Sequence, residues 1–231
     1  IPDEILTPKQ LSFKNQITGQ EVRISESELT ADLQRLKFPV GHLDFEAFNL
    51  PYHPSPNIRT CAMVPFQASI HVEHSNGSIE HFEYLCDHEV DDRYSLAVFL
   101  VKNLSTVATV LAWNVSFERR MLSHLAAEYP TLSEDLHQII EKLVDLQPIV
   151  KNNVEHYLFR GSFGLKSVAP VISPEFSYEN LVVDNGNDAN GSFQLMVRGM
   201  LPSNQILKTR HQLLAYCKKD TAATLAIHRA L

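Results

Sequence analysis

The sequence predicts an α/β fold on a mixed sheet, in which an antiparallel three-strand meander is followed by parallel strands and flanked by helices. Apolar and polar residues alternate over 66–73, which is typical of a half-buried strand. Asn76-Gly77 then favours a tight hairpin turn, because both residues tolerate positive φ. A near-continuous apolar run at 107–113 indicates a strand buried on both faces, as in a parallel sheet.

The first core strand, predicted over 40–48, carries two carboxylates one residue apart. Asp44 and Glu46 would share one face of this strand, while Phe45 points into the core. Like charges this close repel and are costly to desolvate unless a cation lies between them. A divalent metal ion is one solution, and a solvated strand face is the simpler alternative.

Residues 1–39 are predicted to be a lead-in or linker, and 40–231 the main domain. The spacing of Ser25 and Glu28 matches a capping box that opens a short helix, which ends near Pro39. The chain begins at Ile1 and not at Met, so we expect it to be part of a longer polypeptide with an upstream domain.

The remaining elements follow from apolar spacing and turn residues. Three prolines at 49–56 predict a loop, and Asn185-Gly186 is expected to be a plain turn within an acidic, turn-rich stretch. The strand histidines are expected to be solvated, because their spacing fits no compact ligand set: His71, His74, His81 and His88. The predicted elements are a strand at 79–85, helices at 93–104, 117–128 and 133–143, a short helix after 161 that halts at Pro170, and a helix at 209–231.

Composition excludes several classes of protein. A formal net charge of -7 argues against a non-specific nucleic-acid coat protein, which neutralises many phosphates, but allows a nuclease whose acidic site binds cations. No apolar run reaches the roughly 18 residues of a membrane span. Three cysteines without a Cys-x-x-Cys pair favour a reducing cytoplasm over a disulfide framework.

Two further motifs place acids on other elements. Glu118 lies in the first turn of a helix after the buried strand, where the helix dipole alone would favour it. Tyr216 and Asp220 are four residues apart on one face of the last helix, where a surface Asp beside a half-buried Tyr is the simpler interpretation.

Taken together, this order of motifs resembles the DEDDy branch of the DEDD 3′–5′ exonucleases, which are ribonuclease-H-like and related to proofreading exonucleases. The resemblance covers about 40–231. Within that superfamily, the sequence is most similar to an uncharacterised bacterial domain family of unknown function found at the C-terminal end of longer proteins. The segments that carry it are Leu43-Asp44-Phe45-Glu46, Asn114-Val115-Ser116-Phe117-Glu118, Val144-Asp145-Leu146, Gly161-Ser162-Phe163-Gly164-Leu165-Lys166-Ser167-Val168-Ala169-Pro170 and Tyr216-Cys217-Lys218-Lys219-Asp220-Thr221.

The resemblance implies a catalytic site. Asp44, Glu46, Glu118 and Asp220 would hold two divalent cations, Mg²⁺ or Mn²⁺, for phosphodiester hydrolysis of DNA or RNA. Tyr216 would orient the attacking water, and a single-stranded 3′ end is the expected substrate. The alternative is a catalytically weak or inactive module that binds nucleic acid or protein within a larger polypeptide.

Glu118 departs from this pattern, because most of the superfamily has Asp at that position. Asp145 is either an outer ligand that compensates or a residue that structures its loop. Phe48 could stack on a terminal base, and Lys166 could meet a phosphate. The candidates for substrate contact are Ala47, Phe48, Asn114, Phe117, Asp145 and Lys166.

Overall fold

The computed structural model describes residues 1–49, 62–178, 183 and 185–231. The predicted loop at 49–56 lies outside these residues except for Asn49. The strands are β1 (Val22–Ile24), β2 (Val40–Asn49), β3 (Met63–Glu73), β4 (Ile79–Leu85), β5 (Thr109–Ala112), β6 (Leu143–Asp145) and β7 (Val154–His156). The α-helices are α1 (Pro8–Thr18), α2 (Glu26–Leu33), α3 (Arg93–Leu104), α4 (Ser116–Glu128), α5 (Ser133–Glu141), α6 (Leu146–Asn153), α7 (Leu165–Ile172), α8 (Gly186–Val197) and α9 (Ser203–Ala230), with 3₁₀ turns at Asp3–Ile5, Pro130–Leu132 and Tyr157–Phe159.

Within the described residues, the main sheet has five strands in the order β4-β3-β2-β5-β6. β4, β3 and β2 are antiparallel neighbours, and β5 and β6 continue the sheet parallel to β2. Every residue of β5 is buried, as the apolar run predicted. The predicted fold class is confirmed: a ribonuclease-H-like mixed sheet with an antiparallel meander, further parallel strands and flanking helices.

The two faces of β2 have different surroundings. Leu43 and Phe45 are each 2% exposed and belong to the main apolar core, on the face that α4 contacts. His42, Asp44 and Glu46 alternate with them and face α9, which lies along β2 and β3. The acidic pair therefore faces a helix and not bulk water.

The helices of the C-terminal part differ from prediction at three points. Asn185-Gly186 is not a plain turn but the start of α8, which Asn185 caps. α7 does not halt at Pro170 and continues to Ile172, because its packing against α9 outweighs one lost hydrogen bond. α9 begins at Ser203, earlier than the predicted 209.

A buried polar layer lies between the sheet and α9. His71 is 7% exposed, and its Nδ1 lies 2.8 Å from Thr221 Oγ1. Ser69 Oγ lies 2.8 Å from the same hydroxyl and 3.0 Å from His81 Nε2. The prediction of solvated strand histidines is wrong for His71 and His81, because α9 covers the strand face that alternation alone assigns to solvent.

The N-terminal region is joined to the C-terminal half of the chain. β1 pairs antiparallel with β7, and Leu29 of the predicted short helix is buried in a second apolar core with Val150 and Ile227. We keep 1–39 and 40–231 as a proposed division, with this strand pair as the attachment. Among the described residues, no helix combines the length and apolar character that crossing a bilayer requires.

Candidate metal centre

A third carboxylate from α9 joins the acidic pair of β2. Asp44, Glu46 and Asp220 each offer an oxygen, and these oxygens lie within 4.8 Å of one another. Glu46 and Asp220 are each 7% exposed, and Asp44 is partly exposed. The structure thus brings three of the four predicted carboxylates together.

Buried hydrogen bonds fix the position of α9 against the sheet. Gln67 Nε2 of β3 donates to the Leu213 carbonyl at 2.8 Å, and the Cys217 thiol donates to Asp44 Oδ2 at 3.4 Å. Cys217 itself is fully buried. These contacts hold the helix in the register that directs Asp220 toward the strand.

The electrostatics of the three carboxylates call for a cation. Burial first, and then the neighbouring carboxylates, raise the pKa of Asp44 well above its ordinary value. The same causes raise the pKa of Glu46 to about 8, and burial raises the pKa of Asp220. Without a counter-charge Glu46 therefore favours protonation at neutral pH, and the pKa values of the other two carboxyls are shifted in the same direction.

Lys166 supplies part of that counter-charge. Its ammonium lowers the pKa of Glu46 and Asp220, against the dominant effect of burial. Its Nζ lies 4.8 Å from the centre of the Tyr216 ring and 5.4 Å from that of Tyr178. Lys166, predicted as a phosphate contact, thus borders the carboxylates.

Tyr216 precedes Asp220 by about one helical turn and is 4% exposed. Burial and then the negative charge of Asp220 raise the pKa of its phenol. The phenol therefore stays protonated and can orient a water molecule by hydrogen bonding, but it cannot serve as a general base.

Glu118, at the start of α4, is 3% exposed and lies outside the group of three carboxylates. Burial raises its pKa to about 8, and its charge in turn raises the pKa of Asp44 and Glu46. Among the described residues, nothing forms a hydrogen bond with its Oε2. Glu118 is therefore close enough to act electrostatically, with one oxygen free for a ligand.

The donor set fits divalent cations of the Mg²⁺ and Mn²⁺ type. These ions favour carboxylate oxygens and retain several waters, so few protein ligands suffice. Asp220 Oδ1, like Glu118 Oε2, is buried without a hydrogen-bond partner in the part of the chain that the structure describes. Buried acceptors of this kind are expected where an ion or water completes the site.

Asp145 structures the loop before α4. Its Oδ1 and Oδ2 accept hydrogen bonds from the backbone N–H groups of Asn114 and Val115 at 3.0 and 3.1 Å, and it caps α6. These bonds support Asn114 in a left-handed conformation with φ of 66°. These contacts agree with the interpretation that Asp145 structures its loop.

Phe117 is half-buried, with the Arg120 guanidinium 5.5 Å from its ring centre.

Phe48 and Ala47 lie in the apolar core and not on an open surface. Phe48 is 4% exposed and packs against the rings of Phe66 and Phe193, with centroids 5.9 and 5.2 Å away. Ala47 is 5% exposed and follows a bulge after Glu46. The stacking role predicted for Phe48 is therefore at odds with its burial, because other side chains cover its ring.

Two neighbours of the carboxylates were not predicted. Tyr178 raises no sequence signal, yet its hydroxyl interacts with Asp220 and helps to hold down that carboxyl's pKa. Gly186 lies beside Glu46, where an added Cβ would stand 3.7 Å from Oε2. Tyr178 precedes α8 and Gly186 begins it, and neither residue lies in a sequence motif that would point to the carboxylates.

The family is identified by residues 41–164, which match the model of a domain of unknown function, DUF2779. That span covers more than half of the chain. The chain belongs to the DUF2779 family. The match agrees with the expected resemblance to a family of unknown function. It contains Asp44, Glu46 and Glu118 and ends before Tyr216 and Asp220.

Among solved structures, the DUF2779 chain is similar to the family B DNA polymerase from the hyperthermophilic archaeon Pyrobaculum calidifontis. The identity is 16% and the TM-score 0.47, over 84% of this chain and 24% of the polymerase chain. No functional conclusion follows from a similarity at this level. No curated protein matches the sequence.

The metal-free DUF2779 domain is expected to lose stability as the pH rises from about 6.5 to about 8. The pKa of Glu46 and of Glu118 is about 8 in the folded state, against an ordinary 4.5. The folded protein therefore binds more protons than the unfolded chain in this window, and the free energy of unfolding falls with pH. Buried histidines have the opposite effect, but only below about pH 6.5. Thermal unfolding in EDTA checks this expectation.

Added Mg²⁺ or Mn²⁺ should raise the melting temperature more at about pH 8 than at about pH 6.5, since protons compete with metal for the same oxygens. A melting temperature in EDTA that rises across this window would contradict the assignment of the raised pKa values.

Proposed function

We propose that this domain is a metal-dependent 3′–5′ exonuclease that hydrolyses phosphodiester bonds of DNA or RNA by a two-metal mechanism. The observation that supports the proposal is the convergence of Asp44, Glu46 and Asp220 within 4.8 Å, with Tyr216 one turn before Asp220 on α9. An acidic group of this kind repels nucleic acid unless cations are bound, so a metal-dependent reaction accounts best for a chain of net charge -7.

In this proposal each side chain has a defined role. Asp44 would contribute to holding both ions, Glu46 and Asp220 would complete their protein ligands, and Glu118 would hold the second ion. When bound, two divalent ions activate a water and stabilise the leaving oxygen of a phosphodiester. Tyr216, whose phenol forms a hydrogen bond with Asp220 in this structure, would orient the attacking water once the ions are bound.

Lys166 would balance the negative charge of the substrate. Its ammonium lies next to the carboxylates and above the Tyr216 ring, and it lowers the pKa of Glu46. The last phosphodiester of a strand that approached the bound ions would meet this ammonium, which lies on an exposed residue. Lys166 is therefore the proposed phosphate contact at the 3′ end of the strand.

A second candidate function is a catalytically weak or inactive module that binds nucleic acid or protein. The observation that favours it is Glu118, which lies outside the group of three carboxylates. If this residue does not reach the second ion, only one ion would be held and hydrolysis would be slow.

Labelled single strands separate the two candidates. With Mg²⁺ or Mn²⁺, we expect a 3′-labelled strand to release labelled mononucleotide at once, and a 5′-labelled strand to shorten one nucleotide at a time. EDTA should abolish both reactions. Binding of the strand without cleavage would favour the module, and fragments that begin at internal cuts would contradict an exonuclease.

A further inference from the structure

A second group of potential metal ligands lies further along the same helix. Among the described residues, His42, Glu73 and His228 also bring one donor atom each to within 4.8 Å of one another. His42 belongs to β2, Glu73 ends β3, and His228 is in the last turn of α9. The group joins the C-terminal end of α9 to the sheet.

His42 is the most unusual member of this group. Its side chain is fully buried, and neither ring nitrogen has a hydrogen-bond partner among the residues that the structure describes. A neutral imidazole has one N–H donor and one acceptor, and burying either unpaired costs about 1–3 kcal/mol. An unsatisfied group of this kind in a well-packed core indicates an ion or a water that completes it.

Glu73 keeps one oxygen free for a ligand. It is 6% exposed, and its Oε1 lies 3.2 Å from Arg229 Nε. Its Oε2 lies 3.3 Å from His228 Nδ1, within ion-pair range, and within the described ranges neither atom has a further hydrogen-bond partner. Two ligand atoms about 2.0–2.1 Å from a tetrahedral zinc ion are about 3.3 Å apart, so the spacing suits shared coordination.

The simpler interpretation is an ion pair between a protonated His228 and Glu73. Burial disfavours it, because the His228 side chain is only 11% exposed and the Arg229 guanidinium already pairs with Glu73. The rings of His42 and His228 lie 5.3 Å apart, and two protonated imidazoles at that distance would repel each other. Neutral rings instead offer lone pairs, which is the form that binds metal.

We propose that His42, Glu73 and His228 bind one divalent transition-metal ion of the zinc type, and that this ion fastens the end of α9 to β2 and β3. Two imidazoles and a carboxylate suit zinc or iron, whereas Mg²⁺ prefers oxygen ligands alone. Arg229, whose guanidinium contacts Glu73 Oε1, would not touch the ion but would hold the ligating carboxylate in place.

This site is separate from the carboxylate centre. His42 precedes Asp44 by two residues, about 7 Å along a strand, and His228 follows Asp220 by eight residues, about 12 Å along a helix. One ion cannot contact both groups. The inference also does not depend on the proposed exonuclease activity, because an inactive domain could bind the same metal.

The test is the metal content of the whole domain after loading with Zn²⁺ and removal of excess metal. Elemental analysis should find about one zinc per wild-type chain that His228→Ala and Glu73→Gln each lose. His124→Ala, an exposed histidine of α4, and Asp44→Asn should both retain it. Zinc lost in Asp44→Asn, or retained in both ligand variants, would overturn the proposal, as would a wild-type chain that binds no zinc.

X-ray absorption of the zinc-loaded wild type tests the ligands without any substitution. We expect two imidazole nitrogens and a carboxylate oxygen at about 2.0–2.1 Å. A shell of oxygen atoms alone would place the zinc elsewhere and overturn the proposal. If the zinc has the two imidazole ligands but the domain shows no nuclease activity, the result counts against the exonuclease and not against the zinc site.

Discussion

Asp44→Asn is expected to lower Mg²⁺-dependent degradation of single strands by about a thousand-fold or more. Asp44 lies beside Glu46 and Asp220 and is the carboxylate that we propose contributes to holding both ions. Loss of its charge removes several kcal/mol of metal-derived stabilisation, and about 4 kcal/mol corresponds to a thousand-fold in rate. The initial rate of mononucleotide release from a 3′-labelled strand measures the effect.

Asp135→Asn is the matched control, since Asp135 is an exposed acid in the first turn of α5. It should leave the rate within about two-fold, because an exposed helix-dipole contact contributes less than about 1 kcal/mol to stability. Asp44→Asn with wild-type activity would show that the nuclease activity comes from another site or from a contaminant.

Glu118→Gln is expected to slow the reaction about 10- to 100-fold while stabilising the metal-free domain. Glu118 is the proposed ligand of the second ion, and the neutral amide oxygen of Gln would still bind that ion, but more weakly. Its buried carboxyl has a pKa of about 8, so at about pH 8 the wild-type domain is destabilised by the charge that Glu118 prefers in the unfolded chain. The neutral amide of Gln does not ionise and avoids this cost. We expect a gain of about 1–3 kcal/mol, since the amide also loses some hydrogen bonding.

Rates and urea unfolding in EDTA at about pH 8 measure the two effects on the same protein. Glu141→Gln, an exposed residue at the end of α5, is the control and should change neither. A variant that is stabilised but fully active would remove Glu118 from the site and favour a one-metal or inactive module. A destabilised variant would contradict the raised pKa.

Local patterns predicted the part of the fold that carries the first carboxylates. Alternation places β3, Asn76-Gly77 lies in the turn between β3 and β4, and the predicted helix at 93–104 matches α3. The face of β2 that carries Asp44 and Glu46 follows from period-two alternation alone. These features depend on residues close together in the chain.

Features that depend on distant contacts were predicted less well. His71 looks solvated until α9 covers it with Thr221, and His42 gains significance only when His228 and Glu73 meet it. Asn185 forms a helix cap where a turn was equally compatible with the sequence. Glu118 was placed on its helix, but its distance from the other carboxylates depends on how α4 packs on β2.

The most direct test of the two-metal centre is an anomalous difference map from crystals of the wild-type domain soaked with Mn²⁺ and a nucleoside monophosphate. We expect two peaks about 3.5–4 Å apart. One should contact Asp44, Glu46 and Asp220, and the other should lie between Asp44 and Glu118. A map without a peak beside Asp44, at Mn²⁺ concentrations that support cleavage, would contradict it.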